Sequence, residues 1–105
     1  MAWLLLIVAG LLEIGWAVGL KYTDGFTRPG PTAAVVAVMA VSLACLGLAV
    51  RTLPVGTAYA VWTGIGTVGT VLLGIYLFDE PSDAVRLAFI AMIVAGIVGL
   101  KLVTP

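Results

Sequence analysis

Several residue types that support common functions are missing or scarce in this chain of 105 residues. It contains no histidine and a single cysteine, Cys45, which lies inside an apolar run. One cysteine forms neither an internal disulfide nor a zinc cluster, so we expect Cys45 to be a packing residue and the chain to hold no metal and no cofactor. Without histidine or a nucleophile–base pair, the usual residues of an enzyme are missing, and we expect no enzymatic activity.

Charged residues are also scarce. Five Lys and Arg balance five Asp and Glu, so the formal net charge is zero. Such a chain offers no basic face, and we expect no nucleic-acid partner. Hydrophobic residues make up 63% of the chain, more than a small soluble domain could bury, because small folds leave much of their surface in water. The expected solvent is a lipid bilayer.

Apolar runs divide the chain into four candidate membrane spans. Roughly 20 apolar residues in a helix cross a hydrocarbon core of about 30 Å. We predict an all-α membrane protein with a single domain, residues 1–105, whose four transmembrane helices cover about residues 2–20, 32–50, 54–78 and 84–100. Pro29 and Pro31 are expected to precede the second helix, and Ser82 is expected to cap the fourth.

Glu13 lies near the middle of the first span. A charge there costs on the order of 2.5–3.5 kcal/mol on insertion scales, which makes the residue a functional-site hypothesis. Every Lys and Arg lies at or near a helix end, so we expect no cation inside the membrane to pair with Glu13. No Lys or Arg precedes this run and a carboxylate interrupts it, so we expect a membrane span rather than a cleaved signal peptide.

Polar and aromatic residues in the spans predict a site for a small organic cation around Glu13. Trp16 follows three residues later on an overlapping helix face. Ser42 is the one strongly polar residue of the second span, and Tyr59 and Trp62 are three apart on the third. The rings attract a cation, and Ser42 and Tyr59 can hold Glu13 or bind the ligand. The alternatives are lipid packing for the tryptophans and, for Ser42, a bond to its own preceding turn.

Lys and Arg are almost evenly divided between the two expected membrane faces. One face carries two and the other three, namely Arg51 and Lys101 against Lys21, Arg28 and Arg86. An uneven division of Lys and Arg normally sets the orientation of a membrane protein. Because this chain has almost no such imbalance, we hypothesise dual topology, the alternative being one orientation set by another feature. An antiparallel homodimer would then supply the inversion that transporters often build as an inverted repeat. It would also bring two copies of Glu13 towards one cavity.

Small residues indicate where helices approach each other. Ala91, Ala95 and Gly99 recur every four residues and favour the fourth helix as the dimer contact, although abundant Ala and Gly also produce such patterns by chance. Gly64 and Gly66 weaken the third helix, since each glycine costs up to about 1 kcal/mol relative to alanine. We interpret this pair either as a hinge or as a place of close packing.

Four motifs connect the chain with a known family. They are Gly10-x-x-Glu13-x-x-Trp16-Ala17, Lys21-Tyr22-x-x-Gly25-Phe26-Thr27-Arg28, Thr52-Leu53-Pro54-x-Gly56-Thr57-Ala58-Tyr59-Ala60-x-Trp62-Thr63-Gly64-Ile65-Gly66 and Gly96-Ile97-Val98-Gly99-Leu100-Lys101. Through them the chain resembles the small multidrug resistance transporters over essentially its whole length. Within that family it is similar to the guanidinium exporters. The similarity to the guanidinium exporters rests mainly on Trp16, on the loop from Lys21 to Arg28, and on Met39, where exporters of polyaromatic cations tend to carry tyrosine.

The resemblance implies an antiparallel, dual-topology homodimer in the bacterial inner membrane that exchanges protons for guanidinium by alternating access. Substrate and protons would compete for Glu13. The implied site residues are Trp16, Ser42, Tyr59 and Trp62 as lining, Gly10 as the position that leaves room, Met39 at the membrane-facing edge, and Gly64 and Gly66 in the hinge. Two alternatives stay open, namely a proton-coupled exporter of quaternary ammonium and polyaromatic cations, and a channel or structural membrane subunit.

Overall fold

The computed structural model describes residues 1–104, in which it has four long α-helices, and Pro105 lies outside the described residues. The helices are α1 (Ala2–Gly19), α2 (Pro29–Ala49), α3 (Val55–Phe78) and α4 (Ala84–Val103), and a short 3-10 helix (Leu20–Thr23) extends α1. Each long helix is long and apolar enough to cross a membrane. The predicted all-α architecture is therefore confirmed, with four helices that are long and apolar enough to span a membrane.

The second helix begins earlier than predicted, at Pro29. The expectation that Pro29 and Pro31 precede the helix is wrong, because both lie in its first turn. There the amide N–H has no partner within the helix, and the fixed φ of proline suits helical backbone. Pro54, by contrast, is the N-cap of α3, and α4 continues past residue 100 to Val103.

Asp83, rather than the expected Ser82, is the N-cap of α4. Its Oδ2 accepts a hydrogen bond from the backbone N–H of Arg86 at 3.3 Å, and its Oδ1 pairs with Nε of Arg86 at 2.8 Å. A carboxylate at this position satisfies an unpaired N–H and complements the positive end of the helix dipole. The carboxylate one residue further along therefore takes the role predicted for the serine.

Glycines allow α1 to lie close to both α2 and α3. A Cβ added to Gly10 would come within 2.8 Å of Ile65 on α3, and one added to Gly19 would come within 2.8 Å of Val35 on α2. In lipid, where apolar burial does not drive helix association, such close approach supplies the van der Waals contact between helices. As a result, α1 presents its side chains to two neighbouring helices at once.

The fourth helix lies at the side of the bundle and packs on α3. Ile97 of α4 fills the space beside Gly64, where a Cβ would meet it at 2.7 Å. Near the end of α4, Nζ of Lys101 lies 4.9 Å from the ring centroid of Trp3 on α1. None of the residues in the range Ala84–Val103 is buried. The outward face of α4 is therefore left uncovered by the rest of the described chain.

Candidate functional site

Glu13 lies on the side of α1 that faces α3. Its carboxylate occupies the space beside Gly66, where any Cβ would overlap it. Its Oε1 atom is buried and has no hydrogen-bond partner within residues 1–104. In that part of the chain no group of Cys, Asp and Glu side chains comes together as a metal site. A buried carboxylate oxygen without a partner is costly in free energy, which keeps Glu13 the candidate functional residue of the bundle.

The Glu13 side chain reaches a cavity of about 260 Å³ between α1 and α3, which we call the inner cavity. Its lining consists of Glu13, Ala17, Gly66, Thr67, Thr70 and Val71. The hydroxyl of Thr67 donates to the carbonyl of Thr63 at 2.7 Å. The hydroxyl oxygen of Thr70 is buried and has no partner among the described residues. The inner cavity thus adds two hydroxyl groups near the carboxylate.

Sequence reasoning missed Thr67 and Thr70 as lining residues. A signal for Thr70 was present, because Gly66, Thr70 and Gly74 recur every four residues and so share one face of α3. A hydroxyl between two glycines on a membrane-spanning face marks a place where another helix or a ligand comes close. No comparable pattern distinguished Thr67.

Ser42 connects three helices through its hydroxyl group. It donates a hydrogen bond to the carbonyl of Ala9 on α1 at 2.7 Å and accepts one from Nε1 of Trp62 on α3 at 3.1 Å. Ser42 is fully buried and Trp62 nearly so. The bond of Ser42 crosses between helices, so the alternative that it bonds to its own preceding turn is wrong. Its proton is directed to Ala9 and not to Glu13.

Tyr59 extends this pair towards the outside of the bundle. The ring centroids of Tyr59 and Trp62 lie 5.6 Å apart with their planes tilted by 54°. Tyr59 is 58% exposed, whereas Trp62 is 7% exposed. The structure therefore brings Ser42, Tyr59 and Trp62 into one group that is open on its outer side.

Trp16 and Glu13 face different cavities. Trp16 lines a space of about 210 Å³ whose walls include Val35 and Val38 of α2. Its Nε1 is buried and has no hydrogen-bond partner in the described part of the chain. Glu13, by contrast, borders the inner cavity against α3. The spacing of three residues on α1 therefore places the carboxylate and the indole on adjoining faces.

The two glycines predicted as a hinge are both closely packed. Gly64 contacts Ile97 of α4, and Gly66 contacts the carboxylate of Glu13. The helix α3 runs through both without interruption. Close packing thus accounts for these glycines in this conformation, and the hinge stays a prediction.

Gly10 and Met39 lie apart from the carboxylate. Gly10 is buried against Ile65, so in the single chain its missing side chain serves the contact between α1 and α3. Met39 is half-buried on α2. Their predicted roles, room for the substrate and an edge facing the membrane, stay predictions.

Known proteins resemble this chain over nearly its full length. A family model for small multidrug resistance proteins matches residues 1–93. The guanidinium exporter of Citrobacter freundii is 59% identical over 104 residues, which cover 99% of each protein. The guanidinium exporter of Salmonella typhimurium shows the same identity and coverage. That of Escherichia coli strain K12 is 58% identical over 104 residues, again 99% of both.

Proposed function

The chain belongs to the small multidrug resistance family, and from this premise we propose that it exports guanidinium in exchange for protons. Membership confirms the resemblance seen in the motifs and makes the chain a multi-pass membrane transporter rather than an enzyme. The relatives named guanidinium exporters, at 58% to 59% identity over 99% of each chain, support guanidinium as the substrate. We place the protein in the inner membrane of bacteria.

The observation that carries this proposal is the buried, unpartnered Oε1 of Glu13 beside a cavity in the membrane-spanning bundle. Guanidinium is planar, permanently charged and weakly hydrated, like the head of an arginine side chain. A carboxylate accepts two of its N–H groups in parallel. The ionised Glu13 therefore binds the cation, and the protonated Glu13 releases it. Protons and guanidinium compete for the Glu13 carboxylates, which couples their movements in opposite directions. Because the proposed dimer carries two of these groups, exchange of two protons for one guanidinium moves net charge.

Aromatic rings and a fixed hydroxyl complete the proposed site. Tyr59 offers an exposed ring face to a cation, and Trp62, which is 7% exposed, packs against Tyr59 and is fixed by its hydrogen bond to Ser42. Trp16 borders the neighbouring cavity with an unpartnered Nε1. We propose that Gly10 leaves space for the substrate and that Met39 lies at the edge of the site that faces the membrane, as the family resemblance implies.

An antiparallel homodimer is the proposed working form. The single chain leaves Tyr59 largely exposed and leaves all of Ala84–Val103 unburied, so a second copy has two surfaces to cover. Ala91, Ala95 and Gly99 lie exposed on α4 and permit close approach of a partner helix. Two inverted copies would supply opposite-facing halves for alternating access, with Gly64 and Gly66 as the flexible segment.

The test is the electrical current that guanidinium drives across a membrane of reconstituted protein. The unmodified protein is expected to give a current, and Glu13→Gln to abolish it, because the amide keeps the shape of the side chain but neither ionises nor binds a proton. Asp24→Asn is the matched control. It removes a carboxylate from the loop at a left-handed position (φ 50°) that asparagine accepts, and the current should persist.

Other outcomes decide between the alternatives. A current that survives Glu13→Gln would refute the role of the carboxylate. A response to a bulky quaternary ammonium ion alone would keep the family and overturn guanidinium as the substrate. A guanidinium current that a proton gradient neither drives nor opposes would indicate a channel. Reporters fused to the C-terminus test dual topology, since signal from one side of the membrane alone would contradict it.

A further inference from the structure

A second cavity continues from the inner cavity towards the end of the bundle. This outer cavity measures about 320 Å³ and lies between the last turns of α1 and α3, with Lys21 and Glu80 at its border. Ala17 of α1 and Thr70 of α3 line both cavities. Because the cavities share one residue from each wall, they form a continuous groove between α1 and α3 that leads from Glu13 to Glu80.

The walls of this groove have matching spacing. Residues recur at intervals of four along both walls, namely Glu13 and Ala17 on α1 with Lys21 on the 3-10 helix that extends it, and Gly66, Thr70 and Gly74 on α3. Residues four apart lie on one helix face. Gly66 makes room for the carboxylate at the inner end, and Gly74 makes room for the carboxylate of Glu80 at the outer end. Each end of the groove therefore has a carboxylate that packs against a glycine of α3.

Glu80 reaches the groove because the chain folds back after α3. Asp79 adopts a left-handed backbone conformation with φ 56°. The N–H of Glu80 then donates to the carbonyl of Gly74 at 3.4 Å. The side chain of Glu80 lies over Gly74 and, within residues 1–104, forms no salt bridge. Its carboxylate is thus available to a cation at the opening.

Lys21 borders the same opening but its ammonium group lies against a ring. Its Nζ is 5.2 Å from the ring centroid of Phe78, and that ring stands 5.6 Å from the ring of Tyr22. The positive charge of Lys21 weakens the attraction of Glu80 for a second cation. Weak binding suits a transport path, since a cation must leave as readily as it arrives.

Thr70 lies between the two carboxylates and has an unused hydroxyl group. Its Oγ1 is buried and lacks a hydrogen-bond partner among the described residues. The neighbouring Thr67 shows the ordinary alternative, a bond to the carbonyl of the preceding turn. The oxygen of Thr70 is covered in this conformation, and a rotation of the Thr70 side chain towards the groove would make it an acceptor for one N–H of a guanidinium ion there.

We propose that Glu80 and Thr70 form an outer subsite for guanidinium, through which the cation passes between the membrane surface and Glu13. The carboxylate of Glu80 attracts the cation at the opening, and the hydroxyl of Thr70 accepts an N–H midway. The small side chain of Ala17 leaves the passage open. This inference rests on the proposed function, because it takes guanidinium as the cation that Glu13 binds.

The test compares transport kinetics with equilibrium binding of guanidinium. We expect Thr70→Val and Glu80→Gln each to lower kcat/KM for guanidinium by about three- to tenfold, the factor that accompanies loss of one hydrogen bond or one nearby charge. For Glu80→Gln the equilibrium dissociation constant, followed by tryptophan fluorescence, should stay within about twofold, because neither Glu13 nor the lining of the inner cavity is changed. The defect of Glu80→Gln should fade in about 1 M salt, where charges are screened within about 3 Å.

Two matched controls isolate the groove from general effects. Asp79→Asn removes the adjacent carboxylate at a left-handed position that asparagine tolerates. Thr32→Val removes another buried, unpartnered threonine hydroxyl, at the start of α2 and away from the groove. Both are expected to transport guanidinium like the unmodified protein.

The possible outcomes separate this inference from the function on which it rests. If the unmodified protein transports guanidinium and both groove variants match their controls, the outer subsite is refuted and the proposed function stands. If Thr70→Val weakens equilibrium binding as much as transport, Thr70 belongs to the Glu13 site and the outer subsite is again refuted. If the unmodified protein transports no guanidinium, the proposed function fails and this inference with it.

Discussion

Trp62 donates its indole N–H to the hydroxyl oxygen of Ser42 at 3.1 Å, and Ser42 donates onward to the carbonyl of Ala9 at 2.7 Å. One buried serine thereby ties α1, α2 and α3 together. The same contact orients the indole ring against which Tyr59 is tilted. A single hydroxyl therefore contributes both to the packing of the three helices and to the orientation of the aromatic group.

Ser42→Ala should destabilise the protein and disturb the site. The substitution leaves Nε1 of Trp62 buried without an acceptor, which costs about 1–2 kcal/mol. We expect a lower thermal unfolding midpoint in detergent and weaker guanidinium binding. Ser82→Ala is the control, because Ser82 is exposed and Asp83 caps the helix. Equal midpoints for the two variants would contradict the structural role of Ser42.

Gly66→Ala should displace the carboxylate of Glu13. An added Cβ would overlap that carboxylate, and forcing extra volume into packed structure costs about 1–3 kcal/mol. We expect guanidinium affinity to fall by about tenfold while helix content, measured by circular dichroism, is unchanged. Gly47→Ala on α2 is the matched control, since nothing lies within 4 Å of a Cβ at that position. Unchanged affinity in Gly66→Ala would show that the carboxylate does not need this space.

Acid should loosen the first turn of α4. Burial alone would raise the pKa of Asp83, but the hydrogen bonds and the charge of Arg86 outweigh it and hold that pKa below its usual value. A lowered pKa in the folded state means that the stabilisation is present above the ordinary aspartate pKa and is lost as the pH falls through the lowered one. We expect faster exchange of the Arg86 amide hydrogen in acid than the intrinsic rate predicts.

The matching variants check the identity of this cap. Asp83→Ala should leave the Arg86 amide unprotected relative to its intrinsic exchange rate already at neutral pH, with no further loss of protection in acid, whereas Ser82→Ala should behave like the unmodified protein. A cap provided by Ser82 would give the opposite order.

The helices were predictable because a membrane span is a local property. About 20 apolar residues without a break suffice to define one, and α1, α3 and α4 lie close to where their runs predict. The start of α2 was not predictable from the rule applied to Pro29 and Pro31, because the same residue type breaks a helix in its interior and is tolerated in its first turn. The choice between Ser82 and Asp83 likewise depended on backbone geometry.

Glu13 could be identified as the functional candidate from the sequence because a carboxylate in an apolar run is expensive wherever the neighbouring helices lie. The partners of Ser42 could not be identified, since they depend on the depth and rotation of three packed helices. The contact of the Glu13 carboxylate with Gly66 and the groove past Thr70 could not be identified from the sequence for the same reason. Periodicity along one helix shows which residues share a face, and only the packed bundle decides which face meets which neighbour, because close contacts across helices join residues far apart in the chain.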